Sequence, residues 1–464
     1  MQTLNTYLTL IDLLCDRAHE HPGRTAFTFL KDGETVQNSV TYQKLVQRAQ
    51  AIAAHLSASA AVGDRALLIY PFDRGIEFIE AFLGCLFAGV IPLCSLPPRN
   101  RHSITDIVGR LISSDARVIL TSKSLQANLQ RQLKQSEDCP GLAQIRWIAS
   151  EEIPTDLTAH WRRPEVNLDT LAFLQYTSGS TGLPKGVMIT HRCLLHNQQL
   201  LKLAFGHTDA LVGMGWLPLF HDMGLIGNVL QVLYMGAFCV LMSPLAFIQK
   251  PVRWLQVISR YRVTTSGGPN FAYDLLCRYV KPDQLQQLDL SSWEVAFSGA
   301  EPVRAATLDQ FAAKFAPCGF RREAFYPCYG MAEATLFITG GQKSAPPHIG
   351  YVDKMALEKN QVVWADPAAP LTRSLVGCGH AWLDGQVAIV HPETRHRRPP
   401  NQVGEIWVSG AGMGKGYWNE PDKTERTFQG YLSETGEGPF LRTGDLGFLH
   451  EGELFITGRR YDVL

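Results

Sequence analysis

Residues 176–186 read Tyr-Thr-Ser-Gly-Ser-Thr-Gly-Leu-Pro-Lys-Gly, and a strand-like run, Val187-Met-Ile-Thr190, follows directly. Glycines let backbone N–H groups approach an anion closely, hydroxyls add hydrogen-bond donors, and a lysine adds a mobile positive charge. These are the groups that bind a polyphosphate. The segment therefore predicts a nucleotide-phosphate loop between two strands.

The spacing within this segment excludes a Walker loop. A Walker loop has four residues between its glycines, and its lysine is followed by a Ser or Thr that opens a helix. Here only two residues separate Gly179 from Gly182, and Gly186 follows Lys185. An ordinary hairpin loop is the alternative, because Ser, Gly and Pro are common in turns. The four hydroxyl side chains and the lysine together favour the phosphate site.

The composition indicates a well-buried protein of two or three subdomains. Of the 464 residues, 45% are hydrophobic and 19% are charged, and a chain of this length exceeds one simple core. The 43 Lys and Arg balance the 43 Asp and Glu. The charge therefore gives no reason to expect binding to nucleic acid or to an anionic membrane surface.

The ten cysteines are scattered along the chain, with no Cys-x-x-Cys pair and no zinc-ligand spacing. Several lie in apolar runs, where free cysteine behaves as a small hydrophobic residue. This usage suggests a reducing compartment. The N-terminus has no basic region before an apolar run, so no secretory signal is recognised. We expect a cytoplasmic protein.

One uncharged stretch, from Gly224 to Gln249, is long enough to cross a bilayer. Polar residues, glycines and Pro244 interrupt it. We therefore expect a buried helix over about 223–235, a stop at Gly236 and a strand from Phe238 to Met242, and no membrane span.

The first half of the chain alternates helices with continuous apolar strands, such as a helix capped by Thr41, the strand 66–70 and a helix over 75–88. Strands without polar alternation imply parallel sheets covered on both faces. Ligands bind beyond the carboxyl ends of such strands, where the loop after Leu174 would lie. From about Val376 the strands alternate, which predicts a smaller antiparallel β-subdomain. The fold class is α/β, with two parallel-rich sheets flanked by helices.

Two further motifs follow the loop. Trp216–Leu225 contains His221, which could donate a hydrogen bond to a carboxylate beside a phosphate. Alternatively, Asp222 caps the next helix and His221 merely packs at its start; we favour the cap for Asp222 and function for His221. In Ser298–Pro302, the backbone at a strand end could meet a purine ring, although a plain turn is equally consistent.

Two more motifs complete the set. In Tyr326–Thr335, Tyr329 offers a face for stacking on a base and Glu333 a carboxylate for Mg²⁺; the alternative is a strand-to-helix junction with a glutamate favoured by the helix dipole. Near the end of the chain, Asp445 can accept both ribose hydroxyls and Arg459 can reach the ribose or a phosphate. The Thr-Gly-Asp sequence that contains Asp445 is weak evidence by itself, because such turns are common in proteins.

In this order, the five motifs resemble the adenylate-forming superfamily of acyl- and aryl-CoA synthetases, amino-acid adenylation domains and luciferases. The chain is most similar to fatty acyl-AMP ligases, through Leu217–Ile226, Tyr329–Phe337 and Leu375–Gly379. The resemblance implies a large N-terminal domain with two α/β subdomains over 1–375, a β-rich subdomain over 376–457 and a hinge over 458–464, with Asp462 at the swivel position.

The resemblance also implies an insertion at about 338–375, by which fatty acyl-AMP ligases differ from CoA synthetases and which is linked to their disuse of CoA. The sequence there is Pro-rich at both ends with a short helical stretch, Lys354–Lys359, and an ordinary surface excursion is the alternative. A small C-terminal domain with a lysine for the α-phosphate normally follows the hinge. We therefore expect slow or undetectable adenylation by residues 1–464 alone.

The activity implied is that of an ATP-dependent fatty acid–AMP ligase of lipid or polyketide biosynthesis. A fatty acid and Mg²⁺·ATP give acyl-AMP and pyrophosphate, and the acyl group passes to the phosphopantetheine of an acyl carrier protein. An acyl-CoA synthetase, an amino-acid adenylation domain and a non-catalytic adenylate-binding module are the alternatives.

The resemblance assigns residues as follows. The catalytic residues are His221, Lys185 and Glu333, of which Glu333 binds the metal. The nucleotide-binding residues are Thr177, Ser178, Gly179, Ser180, Thr181, Gly182, Lys185, Ser298, Gly299, Ala300, Glu301, Tyr329, Gly330, Met331, Ala332, Asp445 and Arg459. The fatty acid lies against His221, Gly268, Pro269, Asn270 and Phe271.

Overall fold

The computed structural model describes residues 7–98, 101–135, 144–177 and 184–460. The described residues form fourteen α-helices, α1–α14 in order, at Leu10–Glu20, Tyr42–Ser57, Gly75–Ala88, Arg101–Ser114, Lys123–Lys134, His191–Ala204, Gln231–Met235, Pro244–Gln249, Val252–Tyr261, Asn270–Tyr279, Pro282–Leu285, Ala305–Phe315, Lys354–Glu358 and Pro421–Phe428. A π-helix, Met223–Leu230, precedes α7 directly.

The described residues also form twenty-one strands. In order, β1–β21 are Thr25–Leu30, Val36–Thr41, Arg65–Ile69, Ile91–Ser95, Val118–Thr121, Arg146–Ala149, Leu171–Thr177, Lys185–Thr190, Val212–Gly215, Phe238–Met242, Thr265–Gly268, Val295–Ser298, Phe325–Gly330, Phe337–Gly340, Ile349–Asp353, Thr372–Val376, His380–Ala381, Gln386–Val390, Gly404–Ser409, Leu441–His450 and Glu453–Arg459.

The chain forms two compact units that are both discontinuous in sequence. The first unit comprises Met1–Gln198, Gly215–Gln249 and Gly414–Pro421, and the second comprises Gln199–Met214, Lys250–Met413 and Asp422–Leu464. The subdomain boundaries drawn from the sequence at 375 and 457 remain a prediction.

The first unit contains a six-stranded sheet in the order β6-β5-β3-β4-β7-β8. Its first five strands run parallel, and β8 returns antiparallel to β7. A separate set pairs β1 with β10 in parallel and with β2 antiparallel. The unbroken apolar strands thus occupy a parallel sheet, as the sequence predicts, because both of its faces are buried.

Helix α2 shows how local sequence sets these elements. The Thr41 hydroxyl accepts a hydrogen bond from the Lys44 N–H at 3.3 Å, which satisfies one of the free donors of the first turn. The apolar face of α2 is fully buried. Its members are Leu45, Ala49, Ile52 and Leu56.

The uncharged stretch divides as predicted. The π-helix and α7 span residues 223–235, Gly236 ends them with a left-handed φ of 63°, and β10 follows. The finding that the sequence does not predict is the π conformation of the first eight residues. Within the described part of the chain, no helix is both long and apolar enough to cross a membrane.

The second unit contains strands in the order β9-β11-β12-β13-β14-β17. The pairs from β9 to β13 are parallel, whereas β14 and β17 add antiparallel strands. The alternating sequence after Val376 forms the predicted antiparallel sheet, β18-β19-β20-β21. Two parallel-rich regions and a smaller antiparallel sheet therefore match the predicted fold class.

Residues 349–376 are folded rather than irregular. Strands β15 and β16 pair antiparallel, with Ile349 opposite Val376, and α13 lies between them. Val352 and Leu375 are buried in a cluster with Phe448 and Phe455 of the antiparallel sheet. The helical stretch expected at Lys354–Lys359 is confirmed as α13. The influence of this segment on CoA use remains a prediction.

An aromatic cluster forms the centre of the second unit. Phe311 of α12 is fully buried, and its ring lies 4.4–6.2 Å, between centroids, from five other aromatic rings. These rings belong to Tyr273, Trp293, Phe315, Phe320 and Phe325. Aromatic packing of this kind adds to the burial of apolar area.

We expect Phe311→Ala to lower the free energy of unfolding by about 3–5 kcal/mol, because it opens a cavity that the surrounding rings cannot fill. Urea denaturation of the variant and the unaltered protein measures the difference. Tyr279→Ala is the matched control, since this side chain is 62% exposed and its loss should cost about 0.5 kcal/mol or less. Equal effects of the two substitutions would contradict the assignment of Phe311 to the core.

Candidate active site

The predicted site residues fall in both units. Thr177, Lys185 and His221 belong to the first, and those from Gly268 onwards belong to the second. Five loop residues lie outside the described residues: Ser178, Gly179, Ser180, Thr181 and Gly182. Asp462 also lies outside them.

The base of the predicted phosphate loop is a pair of antiparallel strands. Thr177 ends β7 and lies opposite Lys185, which begins β8. The preceding pair is Tyr176 and Gly186. Because β7 runs parallel to β4, Thr177 lies at the carboxyl edge of the sheet, where ligands bind in folds of this class. The two strands predicted on either side of the segment are confirmed, and the phosphate-binding role of the segment stays a prediction.

Tyr176 anchors the first side of this base. Its hydroxyl and the Ser113 hydroxyl lie 2.8 Å apart, and the Arg110 guanidinium lies 5.0 Å from the ring centroid. Burial raises the pKa of the Tyr176 phenol. Tyr176 is therefore a neutral structural side chain that fixes the end of β7 against α4.

Lys185 lies on the other side of the base, beside a segment that comes from far along the chain. Residues 415–418 pair with β8: Met188 N–H donates to the Gly416 carbonyl, and Trp418 N–H donates to the Gly186 carbonyl. The Lys185 ammonium lies 5.3 Å from the centroid of the Tyr417 ring. It forms no ion pair with any side chain that the structure describes. Sequence reasoning did not single out residues 415–418, because nothing local indicates so distant a strand partner.

His221 and Asp222 form a close pair ahead of the π-helix. Nδ1 of His221 lies 2.6 Å from Oδ1 of Asp222, and the same oxygen accepts the Met223 N–H at 2.7 Å. The Asp222 carboxylate raises the pKa of His221 through this hydrogen bond, against the opposing effect of desolvation. Asp222 is thus at the helix start, as predicted. His221 remains 54% exposed and can meet a ligand.

A narrow apolar cavity lies beside this pair in the first unit, with a volume of about 30 Å³. Its walls include Phe72, Phe78, Leu217, Phe220 and Met242. A cavity of this volume can hold water. The amide of Gln175 in β7 donates to the Phe220 carbonyl at 3.2 Å, which ties the sheet edge to the residue before His221.

In the second unit, the loop after β12 has a constrained backbone. Ala300 has a φ of +67°, which is uncommon for a residue with a side chain. The Ser298 hydroxyl is buried and forms no hydrogen bond with a described residue. The Glu301 carboxylate accepts the Phe271 N–H at 2.6 Å. Glu301 therefore satisfies a backbone donor in the first turn of α10, and a contact of the Gly299 and Ala300 backbone with adenine remains a prediction.

Gly268, Pro269, Asn270 and Phe271 form the end of β11 and the start of α10, as predicted. The Asn270 amide donates to Thr307 and Asp274, and its oxygen accepts the Arg304 N–H at 3.0 Å. This amide is thus used within the protein. Phe271 is 41% exposed, so it is the member of this group that can offer an apolar surface.

Tyr329, Asp445 and Arg459 are brought together. The Tyr329 hydroxyl donates to Oδ2 of Asp445 at 2.6 Å, and Nε of Arg459 lies 3.3 Å from Oδ1. Asp445 and Arg459 are opposite each other on β20 and β21. Burial first, and then the Asp445 carboxylate, raise the pKa of Tyr329, so the phenol stays protonated as a donor. Stacking of a base on the Tyr329 ring remains a prediction.

Glu333 lies in a tight and strained turn. The carboxylate is nearly buried, with 9% of the residue exposed. Two residues later, Thr335 has φ 69° and ψ −58°, and the Leu336 N–H donates to the Ala334 carbonyl at 2.9 Å. This is a γ-turn of the rare form with positive φ. The Thr335 hydroxyl donates to the Gly412 carbonyl at 2.7 Å and so holds the turn.

Gly330 permits this arrangement, because a Cβ there would collide with the Leu336 carbonyl oxygen. Backbone strain of this kind costs about 1–3 kcal/mol and is concentrated at functional sites. Met331 and Ala332 lie inside the turn, whose ends are joined by the hydrogen bond from Met331 N–H to the Leu336 carbonyl at 2.9 Å. The alternative of an ordinary strand-to-helix junction does not hold, because residues 332–334 form only a single 3₁₀ turn.

The donor set around Glu333 suits magnesium. Among the described residues, no cluster of three or more His, Cys, Asp and Glu side chains could hold a metal ion. A protein cage for Zn²⁺ or Ca²⁺ would need such a cluster. Mg²⁺ instead takes one or two carboxylates together with substrate phosphates and water. A single buried carboxylate is therefore consistent with Mg²⁺ bound to a polyphosphate.

Comparison with known proteins places the chain in a family. The AMP-binding enzyme family model matches residues 14–418. The medium-chain fatty acid–acyl-carrier-protein ligase JamA of Moorena producens is 47% identical over 99% of this chain and 78% of its own length. The corresponding ligase TtuA of Teredinibacter turnerae is 38% identical over 98% of this chain and 77% of its own length.

A solved structure agrees with these relatives. The crystal structure of a fatty acid AMP ligase from Legionella pneumophila superimposes with a TM-score of 0.91 at 40% identity, over 99% of this chain and 78% of that one. The phosphate-loop base, the Glu333 turn and the Asp445 pair thus lie in a fold shared with enzymes that make acyl adenylates. The chain belongs to the AMP-binding enzyme family of the adenylate-forming superfamily, and its relatives there are fatty acid–AMP and fatty acid–acyl-carrier-protein ligases.

Proposed function

We propose that this protein activates a fatty acid with ATP, giving acyl-AMP and pyrophosphate, and passes the acyl group to the phosphopantetheine thiol of an acyl carrier protein. The observation that carries the nucleotide part is the Lys185 ammonium at the carboxyl edge of a parallel sheet, without a carboxylate partner among the described residues. The acyl part is supported by relatives that ligate fatty acids to acyl carrier protein and by a structural neighbour described in complex with acyl adenylate and pyrophosphate.

In the first step, a carboxylate oxygen of the fatty acid attacks the α-phosphorus of ATP. A new C–O–P linkage forms, the bond between the α-phosphorus and its bridging oxygen to the β-phosphate breaks, and pyrophosphate leaves. The protein's task is to position the reactants and to offset negative charge. Thr177, Lys185 and the loop between them would hold the β- and γ-phosphates.

The other residues have distinct roles in this proposal. Asp445, fixed by Tyr329 and Arg459, would accept the ribose hydroxyls, and the Gly299–Ala300 backbone would face adenine. His221 would donate a hydrogen bond to the fatty acid carboxylate. Glu333 would hold Mg²⁺, which offsets the charge of the triphosphate when bound.

In the second step, the phosphopantetheine thiol attacks the acyl carbonyl carbon. The thioester forms, the bond from that carbon to the AMP oxygen breaks, and the thiol proton is released. An acyl-CoA synthetase would run the same exchange with CoA as the thiol. The identity of the thiol therefore separates the two functions.

The central test uses the protein in stoichiometric amounts, so that slow adenylation is also seen. It is incubated with Mg²⁺·ATP and a panel of acids, from short to long fatty acids with amino acids included, and adenylates are identified by mass spectrometry. We expect adenylates to form from the fatty acids but not from the amino acids. The acyl group should then pass to phosphopantetheinylated carrier protein but not to CoA.

Two outcomes would contradict this proposal. A CoA thioester formed as readily as the carrier-protein thioester would favour the synthetase. Tight binding of acyl-AMP, with no adenylate formed from any acid, would favour the non-catalytic binding module.

A second prediction concerns Glu333→Gln, which keeps the shape and one oxygen acceptor but removes the charge. We expect about a 10- to 100-fold loss of affinity for Mg²⁺·ATP, since interactions with charged groups contribute about 1.5–3 kcal/mol. The affinity for metal-free ATP should change little. Calorimetry with and without Mg²⁺ measures both constants.

The matched control is Glu323→Gln, an exposed glutamate in the same unit. It should alter neither affinity. Equal losses for Mg²⁺·ATP and metal-free ATP in Glu333→Gln would mean that Glu333 acts on the nucleotide or the fold rather than on the metal.

A third prediction concerns pH. Because Asp222 raises the pKa of His221, the imidazolium should persist above the ordinary histidine value of about 6.5. The stability that this pair contributes is present below that value and is lost as the pH rises through the raised pKa of the folded state. Fatty acid affinity should weaken over the same pH range, because the neutral ring attracts a carboxylate less.

Histidine NMR signals measure this titration, and the His221 signal is identified by its loss in His221→Gln. Asp222→Asn should move the midpoint down, towards the ordinary value. A midpoint for the unaltered protein at or below the ordinary histidine value would rule out the coupling between His221 and Asp222.

A further inference from the structure

We propose that Tyr417 is a positioning residue for Lys185: its ring holds the lysine ammonium at the base of the phosphate loop without neutralising it. This inference rests on the proposed function, because it takes the ligand of Lys185 to be the β- and γ-phosphates of ATP. The observation behind it is the 5.3 Å distance from the ammonium nitrogen to the ring centroid.

The backbone fixes where this ring lies. Lys415 N–H donates to the Met188 carbonyl at 2.9 Å, and Met188 N–H donates to the Gly416 carbonyl at 2.9 Å. Val187 and Tyr417 form an antiparallel bridge. We call residues 415–419 the strap. It pairs with β8 immediately after Lys185, so the ring and the ammonium are set by one short stretch of paired backbone.

The strap is also attached on its other side. The Asn419 amide donates to the Ser113 carbonyl at 3.3 Å, and the Arg65 guanidinium lies 5.6 Å from the Trp418 ring. The Ser113 hydroxyl is itself 2.8 Å from the hydroxyl of Tyr176. Both ends of the phosphate loop are therefore connected through α4 and the strap, and the Tyr417 ring is held with only 6% exposure.

The choice of an aromatic partner has an electrostatic consequence. A carboxylate beside Lys185 would hold the ammonium, but it would also repel the triphosphate and cancel the charge that binds it. An aromatic ring attracts the cation through its negative face and carries no net charge. The ammonium is thus kept in place while its full charge remains for the phosphates.

This reasoning separates ligands by their phosphates. ATP and pyrophosphate carry the groups that Lys185 would contact, whereas acyl-AMP keeps only the α-phosphate. Loss of the ring should therefore lower the affinity for ATP and for pyrophosphate and leave the affinity for acyl-AMP unchanged. A purely structural role of Tyr417 would affect all three ligands alike.

The test is calorimetry of Tyr417→Leu with ATP, with pyrophosphate and with a non-hydrolysable acyl-AMP analogue. Leucine keeps an apolar side chain at a buried position but removes the ring. We expect about a 3- to 30-fold loss of affinity for ATP and pyrophosphate, because cation–π contacts contribute roughly 0.5–2 kcal/mol. The affinity for the acyl-AMP analogue should stay within about two-fold.

Tyr417→Phe is the matched control, because it keeps the ring and removes only the hydroxyl, and it should bind all three ligands like the unaltered protein. In a Lys185→Ala background, Tyr417→Leu should cause no further loss, since the ammonium is already gone.

Three results would overturn the inference. They are unchanged ATP affinity in Tyr417→Leu, an equal loss for the acyl-AMP analogue, and an equal loss in Tyr417→Phe. The unaltered protein separates these from a failure of the proposed function: if it binds neither ATP nor the analogue, the nucleotide site itself is wrong. If it binds both and Tyr417→Leu is normal, only the positioning role is wrong.

Discussion

The pairing of β8 on both of its sides is the constraint on which the first half of the candidate site depends. On one side, Thr177 of β7 lies opposite Lys185. On the other side, residues 415–418 cover the strand edge that β8 would otherwise present. Because an edge strand has unpaired N–H and C=O groups, this cover satisfies the backbone of β8 directly after Lys185.

In the second unit, Glu333 lies beside a strained turn rather than in a regularly paired strand. Glu333 is nearly buried just before the γ-turn at Thr335, and the Thr335 hydroxyl within this turn donates a hydrogen bond to the Gly412 carbonyl. The Asp445 carboxylate is also held by neighbouring side chains, because one oxygen accepts the Tyr329 hydroxyl and the other lies beside Arg459.

The regular elements of the fold are predictable from local patterns. The α2 cap at Thr41 and the stop at Gly236 follow from the preferences of single residues, and the helix at 75–88 matches α3 to the residue. These elements are set by neighbours within a few positions. The π conformation after Asp222 has no such local signal, and neither does the strain at Thr335, because both arise from packing against distant backbone.

Some features of the candidate site can likewise be predicted from local sequence, and others cannot. The residue types at Lys185, Glu333 and Asp445 indicate their chemistry, so they can be singled out from the sequence. The residues that contact Lys185 and the turn after Glu333 cannot, because Tyr417 and Gly412 lie far along the chain and carry no motif of their own. The same limit applies to Asn270, whose amide is bonded within the protein, although its place in a loop opening a helix gives no sign of this.

Lys185 of the first unit and Arg459 of the second unit have neighbours of different kinds. Arg459 is paired with Asp445, so its charge is largely balanced, and the pair as a whole presents oxygens that suit neutral hydroxyls. Lys185 has an aromatic neighbour, so its charge remains unbalanced. A polyphosphate needs net positive charge, whereas a ribose needs oriented acceptors with little net charge. The neighbour of each cation therefore agrees with the part of the nucleotide proposed for it.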